Sequence, residues 1–196
     1  MYEVEMKVRA DHDVVRERLA GVDATRSKIV FQADTYYDAP HREFVETDEA
    51  LRVRREATLG EDAPRGVDAV SDALDDGDFE SRVTYKGPRV DEGSKTREEV
   101  ETGVDDGAKL DAILGELGFE PVATVEKRRE HWSLSGVTVT LDDVAGLEEF
   151  VECETETDLD LDAARERVAT TLDALGLDVD AQIRTSYLGL LLEAEH

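Results

Sequence analysis

Glu3, Glu5 and Lys7 fall on one side of the alternating run 2–9, YEVEMKVR, while Tyr2, Val4, Met6 and Val8 fall on the other. Residues i and i+2 of a strand share a face, so Glu3 and Glu5 stand roughly 6.5–7 Å apart in Cα position. Charge at period two recurs along the chain. Arg52 and Arg54 share a face, as do Arg82, Thr84 and Lys86, then Lys95, Arg97, Glu99 and Glu101. Lys127 and Arg129 follow, then Thr138, Thr140 and Asp142, and last Glu152, Glu154 and Glu156. One such strand is an ordinary amphipathic strand with a wet face. Its recurrence, with four of the six lysines (7, 86, 95 and 127) on these faces, needs another account. Arginine and lysine offer charge and N–H donors to phosphate oxygens. Paired carboxylates such as Glu3/Glu5 and Glu152/Glu154, joined by Asp142, offer hard oxygen ligands to Mg²⁺ or Mn²⁺. The pattern points to a concave site for a nucleoside triphosphate or another polyphosphate, held with a divalent metal. Neither a P-loop nor a GxGxxG is present, so a helix N-terminus is not the phosphate cradle.

The elements that must position these residues are strands over 2–9, 28–38, 50–56, 80–87, 95–102, 119–134, 137–144 and 147–156. Ser135-Gly136 sits between the sixth and seventh as a hairpin turn. Asp11 caps a helix to Ala20, and Asp105 or Asp106 caps another to Leu117. Residues 161–175 form an amphipathic helix stopped by Gly176, and 185–194 form the last helical segment. Residues 57–80 lack a sustained period and hold eight acidic residues. They read as an acidic insertion, disordered or with one helical turn around 67–74, inside a single domain spanning 1–196. Eight strands with interspersed helices predict an α+β fold with a mainly antiparallel sheet. Closed into an eight-stranded barrel under flanking helices, that sheet would enclose a charged tunnel.

Composition narrows the partners. The net charge of −26 disfavours binding to nucleic acid or to anionic membranes. Abundant Asp and Glu with scarce Lys suits a chain that folds in concentrated salt, as in a haloarchaeal cytoplasm. A single cysteine, Cys153, excludes a disulfide framework and a cysteine zinc site, and reads as a small packed side chain. No apolar run reaches the ~18 residues of a membrane span, and the start is unlike a signal peptide, so the protein reads as cytoplasmic. His12, His41, His131 and His196 show no metal spacing and read as surface residues. Phe31, Tyr36 and Trp132 read as packing.

The motifs are more specific together than singly. ExExK at 3–7 is followed by DTYYD at 34–38, DEALRVR at 48–54, TYKGP at 84–88, KTREE at 95–99 and VEKRR at 125–129. LDDV at 141–144, FVECE at 150–154 and RTSYL at 184–188 complete the series. The chain resembles the CYTH proteins, the triphosphate tunnel metalloenzymes, over nearly its whole length except about 57–80. DEALRVR, TYKGP and SYLGLLL look most like class IV adenylate cyclases. The resemblance implies a small antiparallel barrel, often dimeric, that uses Mg²⁺ or Mn²⁺ to turn ATP into cyclic AMP and pyrophosphate. Relatives instead hydrolyse inorganic or organic triphosphates, and a polyphosphate- or nucleotide-binding module with little turnover is a third reading. The resemblance implies Glu3, Glu5, Asp142, Glu152 and Glu154 as metal ligands, with Glu99 and Glu101 as further candidates. It implies Lys7, Arg52, Arg54 and Lys86 as catalytic cations, and Arg97, Lys127, Arg129 and Arg184 as substrate-binding ones.

A charge of −26 repels the compact state until it is screened. Raising KCl from about 0.1 M to 1 M shortens the Debye length from about 10 to about 3 Å. The thermal midpoint should therefore rise with KCl, as followed by circular dichroism. A flat or falling midpoint would remove the high-salt reading.

Overall fold

A computed structural model describes residues 2–75, 79–88, 97–158 and 160–194, without the side chains of Val45 and Arg97. The strands are β1 Tyr2–Arg9, β2 Ala24–Asp38, β3 Ala50–Leu59, β4 Glu80–Lys86, β5 Arg97–Val104, β6 Glu120–Leu134, β7 Val137–Val144 and β8 Glu149–Thr157. They close into a barrel in the order β1-β5-β4-β3-β2-β6-β7-β8, and every pairing is antiparallel. Paired residues share a face. The register therefore carries the charged side around the barrel, from Glu5↔Glu154 and Lys7↔Glu152 to Arg129↔Asp142, Asp34↔Arg54 and Thr84↔Glu101. The charged faces point inward, as expected of a tunnel. Ser135 and Gly136 both have positive φ, 51° and 80°, the primed turn that matches the twist of β6 and β7.

The apolar core lies outside the barrel. Val4, Met6 and Val8 of β1, with Val139, Leu141, Val151 and Cys153, pack under α1 (His12–Ala20) and α4 (Leu161–Ala174). Asp11 caps α1 by accepting from the Asp13 and Val14 amides at 2.9 and 3.2 Å. Asp160 caps α4 through the Ala163 amide at 2.9 Å. A third helix, α3 (Gly107–Glu116), places Leu110 and Leu114 over Tyr37 and Val53. The last helix, α5 (Tyr187–Ala194), packs Tyr187, Leu188, Leu190 and Leu191 against Val125, Val144 and Phe150. Among the described residues no helix is long and apolar enough to cross a membrane.

Several boundaries differ from the sequence expectation. β2 begins at Ala24, because its pairing with β6 extends to Ala24↔Leu134. β3 continues to Leu59 opposite Ile29. The expected helical turn of the acidic insertion is α2 (Val67–Ser71), which buries Val67 and Val70 against Phe31. The insertion is also pinned polarly: Arg128 Nε donates to the Pro64 carbonyl at 2.9 Å, and Asp143 accepts from the Val67 amide at 2.8 Å. Residues 76–78 of the insertion, and Gly93 and Lys95 before β5, lie outside the described residues. His12 corrects the surface assignment. It is buried, with its ring Nε2 2.9 Å from the Phe150 carbonyl oxygen.

On the outer face of β6, Glu130 is enclosed by Arg16, whose Nη2 donates at 2.9 Å, and by Arg128, whose Nη1 donates at 2.8 Å. Burial works to raise its pKa, but the two guanidinium groups outweigh it and bring the carboxyl down to about 2. A depressed carboxylate contributes stability above its unfolded value of 4.5, and loses it as pH falls toward 2. Glu130→Gln should cost about 1–2 kcal/mol at pH 7 after allowance for solvent screening. Urea unfolding should show that difference shrinking between pH 4.5 and 2. A pH-independent difference would mean that Glu130 acts by packing alone.

Candidate active site

The barrel encloses a cavity of about 650 Å³. From β1 come Glu3, Glu5 and Lys7, from β3 Arg52 and Arg54, and from β4 Arg82 and Lys86. β5 adds Glu99 and Glu101, β6 adds Lys127, Arg129 and His131, and β8 adds Glu152, Glu154 and Glu156. Strand alternation alone brings them together, since each is an inward residue of its strand.

Asp34 organises one wall. It has no exposed surface, and Arg54 grips it with Nε at 2.6 Å and Nη2 at 2.8 Å. Lys127 Nζ donates to its Oδ2 at 2.7 Å, and Arg52 Nη1 lies 3.6 Å away. Burial tends to raise its pKa, yet Arg54, Lys127 and Arg52 hold it well below the usual carboxylate value. The same burial, aided by Arg54 and Arg129, lowers Lys127 to about 8 against the pull of Asp34 and Asp142.

A second wall is built on Arg129. Its Nε donates to Asp142 Oδ1 at 2.5 Å, and its Nη2 donates to Asp142 Oδ2 and to Glu152. Lys7, 1% exposed, donates to the Thr185 carbonyl at 2.7 Å and stands 4.0 Å from the Tyr187 ring centre. On the third wall Lys86 Nζ lies 2.7 Å from Glu99 and 3.8 Å from Glu3. Arg82 and the Thr84 hydroxyl hold Glu101 at 3.1 and 2.8 Å.

The carboxylates of β1 and β8 crowd one another. Glu154 is pushed up to about 8, first by burial and then by Glu3, with Glu152 and Glu5 adding. Glu3 is raised by burial and by Glu5 and Glu99, while Lys86 opposes. Half-buried carboxylates that repel each other offer hard oxygen donors, and in that chemistry the residues fit Mg²⁺ or Mn²⁺ bound together with a substrate. Among the described residues, no three acidic, histidine or cysteine side chains stand together so as to hold a metal ion by themselves. Mg²⁺ suits such an open set, because it keeps waters and commonly binds one or two carboxylates plus substrate phosphates.

Not every expected residue lines the cavity. Asp142 lies behind Arg129, and both its oxygens are engaged: Oδ1 by Arg129, Oδ2 by Arg129 and by the Tyr187 hydroxyl at 2.7 Å. With both oxygens given to protein donors, Asp142 holds the Arg129 guanidinium. Arg184 is not among the lining residues. The Arg97 side chain lies outside the described residues, although its backbone pairs with Glu3.

Other lining residues were not foreseen. Gln32 and Tyr36 share the inward face of β2 with Asp34. In that strand, Val30, Gln32 and Tyr36 hide the period-two signal that charge revealed elsewhere. His131 corrects the surface assignment too. It faces the cavity, and burial with Arg129 and Lys28 nearby lowers it to about 3, so it stays neutral. Cys153 is buried as expected; burial, then Glu154 and Glu152, pushes its thiol up to about 12.

The CYTH domain family matches residues 1–187. A protein of Methanocaldococcus jannaschii, provisionally named an adenylate cyclase, is 38% identical over 193 residues, covering 97% of this chain and 98% of its own. Among solved structures, the PH1819 protein of Pyrococcus horikoshii is 37% identical with a TM-score of 0.80, covering 97% of this chain and 98% of its own. A Hippeastrum protein, described as an expected adenylyl cyclase with a dominant triphosphatase activity, has a TM-score of 0.65 at 14% identity, covering 98% of this chain and 95% of its own.

Glu3→Gln combined with Glu5→Gln removes two carboxylates of the crowded set without touching the outer apolar face. Calorimetry should show Mn²⁺ affinity falling at least about tenfold, a loss of about 1.4 kcal/mol, with cooperative melting retained. Unchanged Mn²⁺ affinity in the folded double variant would take these residues out of the metal site.

Proposed function

This chain belongs to the CYTH domain family, and on that premise we propose that it is a divalent-metal-dependent adenylate cyclase, converting ATP to cyclic AMP and pyrophosphate. The family binds triphosphates and is typically dependent on a divalent metal. One observation carries the finer reading. Beside its charged walls the cavity is also lined by Tyr36, Val122, Leu188 and Leu192. A bare polyphosphate needs only the charged part. A nucleotide also needs a place for its base and ribose, and aromatic and aliphatic side chains provide one.

The cations divide the work by position. Arg52 and Arg54, fixed by Asp34, and Arg129, fixed by Asp142, face the cavity as forks that match phosphate oxygens. Lys7, Lys86 and Lys127 add point charges. In cyclisation the ribose 3′-hydroxyl gives its proton to solvent, its oxygen forms a bond to the α-phosphorus, the bond to the bridging oxygen breaks, and pyrophosphate leaves. Preorganised cations stabilise the negative charge that gathers on the departing group. The metal, held by Glu3, Glu5, Glu152 and Glu154, would lower the hydroxyl pKa and help neutralise the leaving group.

The Hippeastrum protein supports a second reading, since a barrel of this fold is described by its triphosphatase activity. In that case water takes the place of the 3′-hydroxyl, and the apolar lining plays no part.

Product analysis separates the two. Protein in molar KCl with ATP and Mn²⁺ or Mg²⁺ should yield cyclic AMP and pyrophosphate. Arg52→Ala should lower turnover about 100-fold or more, as loss of one preorganised charged contact does. Formation of ADP and orthophosphate, or faster cleavage of tripolyphosphate than of ATP, would replace the cyclase by the triphosphatase.

A further inference from the structure

We infer that Tyr187 is a positioning residue that acts through Asp142 to fix the direction in which Arg129 presents its guanidinium to the tunnel. The inference rests on the reading of the cavity as a polyphosphate site. Tyr187 opens α5 and is 7% exposed. Its hydroxyl donates to Asp142 Oδ2 at 2.7 Å, and Asp142 has no exposed surface. Asp142 holds Arg129 at both Nε and Nη2, and Nη2 also reaches Glu152. A carboxylate gripping one edge of a guanidinium fixes its plane. A hydroxyl on the same carboxylate resists the rotation that would turn the guanidinium away. These bonds use Nε and Nη2, which leaves the Nη1 edge for an anion.

Packing alone does not account for a tyrosine here. The ring meets Phe150 edge-on, with centroids 5.1 Å apart, and a phenylalanine would make the same contact. Burying a phenolic hydroxyl costs free energy unless it is paired, and its partner is the carboxylate that holds Arg129. The same ring lies 4.0 Å from Lys7 Nζ and 5.8 Å from Lys127 Nζ. Lys7 is tied to the same segment through the Thr185 carbonyl. Thus one side chain near the end of the chain touches, directly or through one carboxylate, cations from β1 and β6. Burial and the neighbouring Asp142 carboxylate push the phenol well above its ordinary pKa, so it remains a donor.

The test is titration calorimetry with inorganic tripolyphosphate and Mn²⁺ on the whole chain. Tyr187→Phe keeps the ring and removes the hydroxyl. It should weaken tripolyphosphate about tenfold, the size expected for one lost hydrogen bond to a charged group. In an Arg129→Ala background the same change should have no further effect, because the guanidinium it orients is gone. Asp142→Asn should reproduce the loss from the other side of the link, and it carries the test if Tyr187→Phe does not melt cooperatively. Undiminished affinity in folded Tyr187→Phe would overturn the inference, as would an equal loss in both backgrounds, the mark of a packing role. Failure of the unaltered protein to bind tripolyphosphate would bring down the polyphosphate reading and this inference with it.

Discussion

One buried carboxylate facing three cations sets the condition that the tunnel must meet. Asp34 is fully enclosed, and Arg54, Lys127 and Arg52 surround it. Any of these charges alone would be expensive to bury, and removing one partner of such a set commonly costs 3–5 kcal/mol, as an order of magnitude. Together they keep a row of cations inside a protein without neutralising them. Asp142 repeats the device for Arg129. Around Asp34 and Asp142 the barrel thus keeps cavity-facing cations in two layers: a carboxylate behind, and a guanidinium or ammonium in front.

Such an interior cannot also be the hydrophobic core. Period-two alternation solves this by sending the apolar residues of each strand outward, where α1 and α4 cover Val4, Met6, Val8, Leu141 and Val151. Burial of that outer face provides the stability, at roughly 25 cal/mol per Å² of apolar surface removed from water. Charge on the inner face is then constrained by function. The division explains why the long β2 and β6 are central. Their pairing fixes both the outer contacts of Phe31 and the inner approach of Lys127 to Asp34.

Where charge alternates with apolar residues, as in β1 and β8, the inward face was legible in the sequence. The primed turn at Ser135-Gly136 and the caps at Asp11 and Asp106 follow from local chemistry, and they stand where the sequence places them. Asp34, Tyr187 and His131 were harder. Asp34 has neutral inward neighbours on its own strand, and its cations arrive from β3 and β6. The partner of Tyr187 is Asp142, 45 positions earlier. His131 continues the period-two face of Lys127 and Arg129, a signal that its lack of metal spacing masked. Long-range partners are what a single sequence hides. The role of Asp142 depended on two of them.

The charge of the lining gives a physical reason for the metal. Among the described lining residues there are eight lysines and arginines against eleven aspartates and glutamates. A tunnel with more carboxylates than cations does not attract a free triphosphate, and a chain at −26 repels it at a distance as well. The crowded β1 and β8 carboxylates resolve the contradiction. Glu154 is pushed up to about 8 by burial and then by Glu3, Glu152 and Glu5. A divalent ion in their midst would favour the charged form of each, and would turn that wall from repelling a phosphate to attracting one. Under the proposed function, metal and polyanion would then favour each other's binding, and the carboxylates would raise affinity for the substrate only with the ion in place. Scarce lysine and abundant glutamate, which at first sight argue against a polyanionic ligand, become compatible with one at a single place in the molecule.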